Sequence, residues 1–173
     1  MTKRNSENDN ETGQGLLLAS ITRHFKKYPS QLECFIDILT SKSNISLRLI
    51  DWLVTHYAKA KKVQYWIHEQ TCEIYLKQPT SNDILNKCRK FNLYDEYRAQ
   101  LKSFTKKFFD PFRRHDRISY IINENDTIET TIGQLNFFKW FLKNNVHKYI
   151  SILMTDISKD MSNQNKTRIQ KKQ

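Results

Sequence analysis

The most regular hydrophobic pattern in the chain lies within residues 91–117. Apolar residues recur there at steps of three and four, which is typical of one face of an α-helix. These residues are Leu93 or Tyr94, Tyr97, Leu101, Phe104 and Phe108. Asn92 is suited to cap the first turn, and Asp110-Pro111 ends the pattern because the residue before a proline avoids the helical region. We therefore predict a helix over about residues 93–108.

Further helical faces lie on both sides of this segment. The predicted helices cover about residues 17–27, 30–39, 46–60, 82–88, 132–143 and 146–157. Two of them begin with a capping-box pattern, in which Ser30 precedes Glu33 and Thr131 precedes Gln134 by three residues. Phe137 and Phe141 widen the apolar side of the helix that follows Thr131.

Strands are predicted where the hydrophobic pattern changes from helical spacing to a period of two residues. Apolar and polar residues alternate over 63–67, and 72–77 follows as a possible hairpin partner. Residues 118–122 and 127–130 predict two more strands around an Asn-Glu-Asn-Asp turn. The fold class predicted is α+β: a predominantly helical single domain with a small antiparallel sheet of up to four strands.

Composition divides the chain into a body and two tails. Residues 1–15 are polar and predict a disordered tail, and residues 162–173 predict a disordered basic tail. Residues 16–161 contain the patterned elements, so we predict one domain there, long enough to bury a core.

The chain is strongly basic, with a formal net charge of +11 at pH 7. Most of the excess lies in the body, which points to an anionic partner. The candidate anion- or nucleic-acid-binding residues are Arg98, Lys102, Lys106, Lys107, Arg113, Arg114 and Arg117. The first three are spaced by four and line one face of the predicted helix. The alternative interpretation is a solvated basic face beside a core-packing aromatic face.

Aromatic and basic residues interleave in Lys-Lys-Phe-Phe-Asp-Pro-Phe-Arg-Arg, residues 106–114. Stacking and phosphate neutralisation together suit single-stranded nucleic acid. However, these aromatics have the spacing of a helix core, and no zinc finger, RNP strand or helix-turn-helix pattern is present. Nonspecific contact with the phosphate backbone is therefore the most that the pattern supports.

The sequence carries no recognisable catalytic motif, so we predict no enzyme activity, no cofactor and no metal site. His68, Cys72 and Cys88 would supply three soft ligands, but a fourth is missing. With three glycines in the chain, no phosphate-cradling loop is predicted. We interpret Asp51 as a helix-surface charge and Asp110 as a turn residue.

The sequence also carries information on the cellular compartment and on membrane insertion. The three cysteines have no paired spacing, which favours a reducing compartment. The first residues are polar where a signal peptide would be apolar, and no apolar run has the length of a membrane span. We therefore expect no membrane insertion, and the oligomeric state stays open.

Three stretches resemble a small uncharacterised protein family of nucleocytoplasmic large DNA viruses, of the mimivirus and iridovirus type. They are LRLIDWLVTHYAKAKKVQYWI, FNLYDEYRAQLKSFTKKFFDPFRRHDRISY and TTIGQLNFFKWFLKNNVHKYI, which together span about residues 45–150. The resemblance implies a viral protein made in the cytoplasm of the infected cell, with no catalytic or binding residues carried over.

We accordingly predict a non-enzymatic basic viral protein, located in the virion or in the viral factory of the host cytoplasm. It is expected to act as a structural or accessory component of the particle, contacting DNA or acidic structural proteins through its positive surface. The alternative is a nucleic-acid-binding accessory factor in viral transcription or genome packaging.

Overall fold

The computed structural model describes residues 3–170 of the chain. In order, the elements are α1 (Lys3–Lys27), α2 (Pro29–Leu39), α3 (Leu47–Trp52), a π-helical turn (Leu53–Tyr57), α4 (Ala58–Ala60), β1 (Gln64–His68), β2 (Ile74–Tyr75), α5 (Asn82–Leu85), β3 (Cys88–Asn92), α6 (Leu93–Phe108), β4 (Arg117–Ile121), β5 (Thr127–Thr131), α7 (Ile132–Lys143) and α8 (Val146–Gln170). The predicted α+β class, mostly helical with little antiparallel sheet, is confirmed.

Helix α7 lies at the centre of the core. Nine of its residues, from Gly133 to Leu142, are buried, which explains the apolar width noted in its sequence. Helix α1 packs against it, and the ring of Phe35 from α2 lies 4.8 Å from that of Phe138. Tyr97 and Phe109 meet Trp140 on another side of α7. Helix α6, the most regularly patterned segment, therefore covers the core rather than forming its centre.

The strands form two separate sheets instead of the single sheet predicted. One has the order β2-β1-β3 and the other pairs β4 with β5, all antiparallel. The predicted strands 63–67, 72–77, 118–122 and 127–130 each overlap with an observed strand, but β3 was missed. Cys88 had been assigned to the preceding helix, and Arg89 and Lys90 hide the strand pattern. The segment forms a strand because of a tertiary contact: Phe91 pairs with Tyr65 of β1, the central strand of the sheet.

Two predicted helix caps are confirmed and one is wrong. The Asn92 side chain accepts a hydrogen bond from the Asp95 N–H, and Thr131 accepts one from the Gln134 N–H. Ser30 does not cap α2, because Pro29 is already its first helical residue. Proline is favoured there since its missing N–H would have no partner in the first turn.

The helix predicted over residues 46–60 is continuous but changes geometry in its middle. Ser46 caps it, and a π-helical turn separates α3 from α4. Wider turns of this kind insert one residue into the helical ladder.

Helical structure extends into both predicted tails. Helix α1 begins at Lys3 and α8 continues to Gln170, whereas the helices predicted there covered 17–27 and 146–157. Residues 1–2 and 171–173 lie outside the described residues. The division into a body and two tails stays a prediction.

Asn144, at the junction of α7 and α8, joins the helices to the larger sheet. Its backbone carbonyl accepts a hydrogen bond from the Tyr65 hydroxyl at 2.8 Å. Its side-chain oxygen accepts one from Arg89 at 2.7 Å, and its side-chain nitrogen donates to the Trp140 carbonyl at 2.8 Å. A buried residue whose backbone and side chain together bond to three elements fixes the relative positions of those elements.

Candidate nucleic-acid interface

The α6 row, which we define as Arg98, Lys102 and Lys106, lies on the outside of α6. All three residues are exposed, while Leu93 and Tyr97 of the same helix are buried. The core-facing residues and the row occupy different sides because steps of three or four stay on one face of a helix. None of the three belongs to an ion pair among the side chains that the structure describes. Lys106 nevertheless lies close enough to Asp51 for its charge to oppose the rise in the pKa of that carboxyl.

The row is interrupted by a backbone feature at Thr105. This residue has φ 59° and ψ 171°, outside the helical region, so α6 has a kink one residue before Lys106. A positive φ is unusual for a β-branched residue and costs free energy. Lys106 and Lys107 therefore sit on a last turn that is offset from the rest of the helix.

Lys107 is exposed, but its backbone is held close to α7. A Cβ atom added to Gly133 would lie 2.6 Å from the Lys107 carbonyl oxygen. Glycine is required there by this close approach, since no side chain fits between the two backbones. The Lys107 ammonium lies 5.3 Å from the Phe108 ring centre.

The arginine cluster, which we define as Arg113, Arg114 and Arg117, follows Pro111. Arg113 donates a hydrogen bond to the Glu129 carbonyl at 3.1 Å, and its guanidinium lies 3.7 Å from the Glu129 carboxylate. Arg117 forms a hydrogen-bonded ion pair with the same carboxylate. Glu129 lies on β5, directly across the ladder from Ser119 of β4. Two cations of the cluster thus share one acid.

The third member, Arg114, pairs with Asp110. Its Nε lies 3.3 Å from the Asp110 carboxylate, and the guanidinium lies 4.5 Å from the centre of the Phe112 ring. Asp110 also accepts a hydrogen bond from the Phe112 N–H at 3.0 Å, as expected of a turn residue. Yet Asp110 is only 5% exposed. The interpretation of Asp110 as a turn residue is therefore confirmed but incomplete, because it is also a buried acid with an arginine partner.

Asp51 also lies close to the arginine cluster. It is half-buried instead of the surface charge that we predicted. Burial raises the pKa of Asp51, the negative charge of Asp110 raises it further, and the positive charge of Arg114 opposes the shift. Burial, with Asp51 and Asp110 nearby, raises the pKa of Tyr97 to about 12. No spacing in the sequence brings Asp51 and Asp110 together, since they are 59 positions apart.

The aromatic residues of the 106–114 segment mostly serve the core. Phe109 is 1% exposed, and its ring contacts those of Tyr97, Phe137 and Trp140. Phe108 and Phe112 are partly buried. The surface that this segment offers to a ligand is consequently basic rather than aromatic.

Over residues 3–170, no helix combines the length and apolarity that crossing a bilayer requires. His68, considered above as a metal ligand, is the last residue of β1 and pairs with Cys88 of β3 in the ladder. Its Nδ1 accepts hydrogen bonds from the backbone N–H groups of Gln70 and Thr71 at 3.3 and 3.2 Å.

Together, these features define a basic, mostly helical α+β protein with an exposed row of cations on α6 that belong to no described ion pair. The sequence model of a family of unknown function, DUF7197, matches residues 2–173. The chain belongs to the DUF7197 family. No solved structure matches it.

A relative with a similar sequence is the protein named "Uncharacterized protein L507" of Acanthamoeba polyphaga mimivirus. It is 31% identical over 143 residues, which cover 80% of this chain and 49% of the mimivirus protein. The chain therefore spans about half the length of the curated relative it matches. The predicted membership of an uncharacterised protein family of large DNA viruses is confirmed.

Proposed function

We propose that this viral protein binds DNA without sequence preference, through contacts between the α6 row and backbone phosphates. The observation that carries the proposal is the exposure of Arg98 and Lys102 on one side of α6, and of Lys106 beyond the kink at Thr105, with none of the three in a described ion pair. Cations that are not already paired release counterions from DNA without first breaking an internal contact. The proposal includes no catalytic step, since the sequence carries no catalytic motif.

The arginine cluster contributes less to this binding than its charge suggests. Arg113 and Arg117 are held by Glu129, and Arg114 by Asp110. A phosphate would have to compete with a carboxylate for each guanidinium. We accordingly expect the α6 row to account for most of the salt dependence of binding.

The experiment compares two double variants that each lose two positive charges. One is Arg98→Gln/Lys102→Gln in the α6 row, and the other is Arg113→Gln/Arg117→Gln in the arginine cluster. Binding to a labelled duplex and to the matching single strand is measured by fluorescence anisotropy, at salt concentrations from about 50 to 200 mM. The row variant should reduce the slope of log K against log salt on the duplex by about two units, and the cluster variant by less than one.

Equal reductions in the two variants would mean that net charge, not the α6 row, determines binding. No binding of the unmodified protein at low salt would overturn the DNA proposal. The positive surface would then serve an acidic protein partner. Denaturation curves for both variants provide the control for folding.

The proposal also includes association with the virus particle, which is supported by the viral family of the chain. Quantitative mass spectrometry of purified, salt-washed particles tests this part. A structural or accessory component of the virion should be present in many copies per particle. A transcription or packaging factor that stays in the viral factory should be absent from the particles.

A further inference from the structure

A cleft of about 370 Å³ lies between α1, α6 and α7. Helix α6 contributes Glu96 and Gln100 to its wall, α7 contributes Lys139 and Lys143, and α1 contributes Ser20. The volume is in the range of small-molecule sites in proteins, which begins at about 300 Å³. The functional proposal above makes no use of this cleft.

Lys139 and Lys143 line the cleft and Arg23 acts on Lys139 electrostatically, and none of them forms a described ion pair with the Glu96 carboxylate of the same cleft. Lys139 is half-buried, and its ammonium donates a hydrogen bond to the Ser20 hydroxyl at 2.9 Å. Burial lowers the pKa of Lys139, and the charges of Lys143 and Arg23 lower it further. None of these three cations belongs to a described ion pair. Their mutual repulsion is a cost that a bound anion would relieve.

The remaining wall residues limit the kind of anion. Glu96 supplies a carboxylate that accepts hydrogen bonds, and Gln100 supplies both a donor and an acceptor. A bare anion leaves these groups unused, and a ligand with hydroxyl or amino groups beside its anionic end satisfies them. Phosphate is the anion that two neighbouring lysines with a serine hydroxyl bind well.

We propose that the cleft binds a small phosphate-bearing molecule of nucleotide size. Its phosphate lies between Lys139 and Lys143, and its hydroxyl or amino groups face Glu96 and Gln100. The cleft is separate from the α6 row, because Gln100 precedes Lys102 by two residues and so points to the other side of the helix, about 200° away. The two sites are therefore tested by different variants.

Isothermal titration calorimetry of the full chain with AMP, adenosine and inorganic phosphate tests this proposal. The test variants are Lys143→Gln, at an exposed position, and Lys139→Gln/Lys143→Gln. Lys42→Gln/Arg48→Gln is the matched control, with the same loss of charge at two exposed positions outside the cleft and the α6 row. We expect AMP to bind at least about tenfold more tightly than adenosine, because each charge-assisted hydrogen bond contributes on that order.

The double lysine variant should lose about tenfold or more in affinity for AMP, and the control should stay within about twofold. The single Lys143→Gln variant should lose severalfold, and it decides the question if the double variant does not fold. Equal losses in the test and control variants would overturn the proposal. It would also be overturned if adenosine bound as well as AMP, or if neither AMP nor inorganic phosphate bound at millimolar concentration. Binding of inorganic phosphate as tightly as AMP would overturn its nucleotide part.

Discussion

The α6 row and the arginine cluster lie within twenty residues of each other and carry the same kind of charge, but they differ in the ion pairs that they form in the folded protein. The row residues extend from a helix whose other face packs on the core, and none of them belongs to a described ion pair. The cluster lies on a turn and a strand that bring it to Glu129 and Asp110. Counting basic residues along the sequence therefore overestimates the positive surface that is available to a ligand.

The largest expected effect is a loss of stability where Gly133 of α7 packs against Lys107, in the segment between the α6 row and the arginine cluster. In Gly133→Ala, the new Cβ would meet the Lys107 carbonyl oxygen at 2.6 Å, so α7 and the end of α6 must move apart. We expect a loss of about 3 kcal/mol in the free energy of unfolding, measured by urea denaturation. Gly13→Ala is the control, because a Cβ there meets nothing within 4 Å. A Gly133→Ala protein as stable as the control would show that the two backbones are not in close contact.

The next largest effect is a loss of stability at acid pH, which limits the pH range over which DNA binding by the α6 row and by the arginine cluster can be compared. Burial, with the charge of Lys148 adding to it, lowers the pKa of His147 from 6.5 to about 4. An unfolded chain therefore binds this proton more tightly than the folded one. The stability that neutral His147 contributes is complete above about pH 6.5 and is lost progressively as the pH falls to about 4.

Relative to pH 7, this one group should cost about 2 kcal/mol of stability at pH 4.5. Urea denaturation at the two pH values, in the unmodified protein and in His147→Gln, isolates the contribution. The variant should lose less stability than the unmodified protein on acidification. An identical loss in both proteins would assign the acid sensitivity to other groups.

The smallest effect on stability is expected for Glu129→Gln, but this variant tests most directly the difference between the α6 row and the arginine cluster. Glu129→Gln frees Arg113 and Arg117 from an exposed carboxylate, so stability should change by less than about 1 kcal/mol. The salt slope of DNA binding should rise by up to about two units as the arginines become available. Glu124→Gln removes the same charge from the nearby turn, where no described ion pair involves Glu124. Equal increases in both variants would show that net charge alone matters.

Much of the fold was predictable because its signals are local. The α6 pattern, the Asn92 and Thr131 caps and the β4–β5 turn all arise from residues within a few positions of each other. Strand β3 was not predictable in this way. Its five residues include two adjacent cations, and it is a strand because Tyr65 and Phe91 pair within the sheet.

The basic residues of the candidate interface could be predicted from the sequence, but the ion pairs that some of them form could not. The spacing of Arg98 and Lys102 places them on one helix face, and this follows from sequence alone. That Glu129 neutralises Arg113 and Arg117 depends on the β4–β5 register, and that Asp110 is buried depends on its packing beside α7. The cleft of Lys139 and Lys143 combines α1 and α7, whose residues are more than a hundred positions apart.

The bonds made by Asn144 also determine when the chain can complete its fold during synthesis. The buried Tyr65 hydroxyl is satisfied by a carbonyl 79 residues further along, and Arg89 by a side chain 55 residues further along. Neither partner exists until residue 144 has left the ribosome. The sheet and the helices α1 to α6 are therefore made before these partners, and the Tyr65 and Arg89 hydrogen bonds can form only after Asn144 has been synthesised.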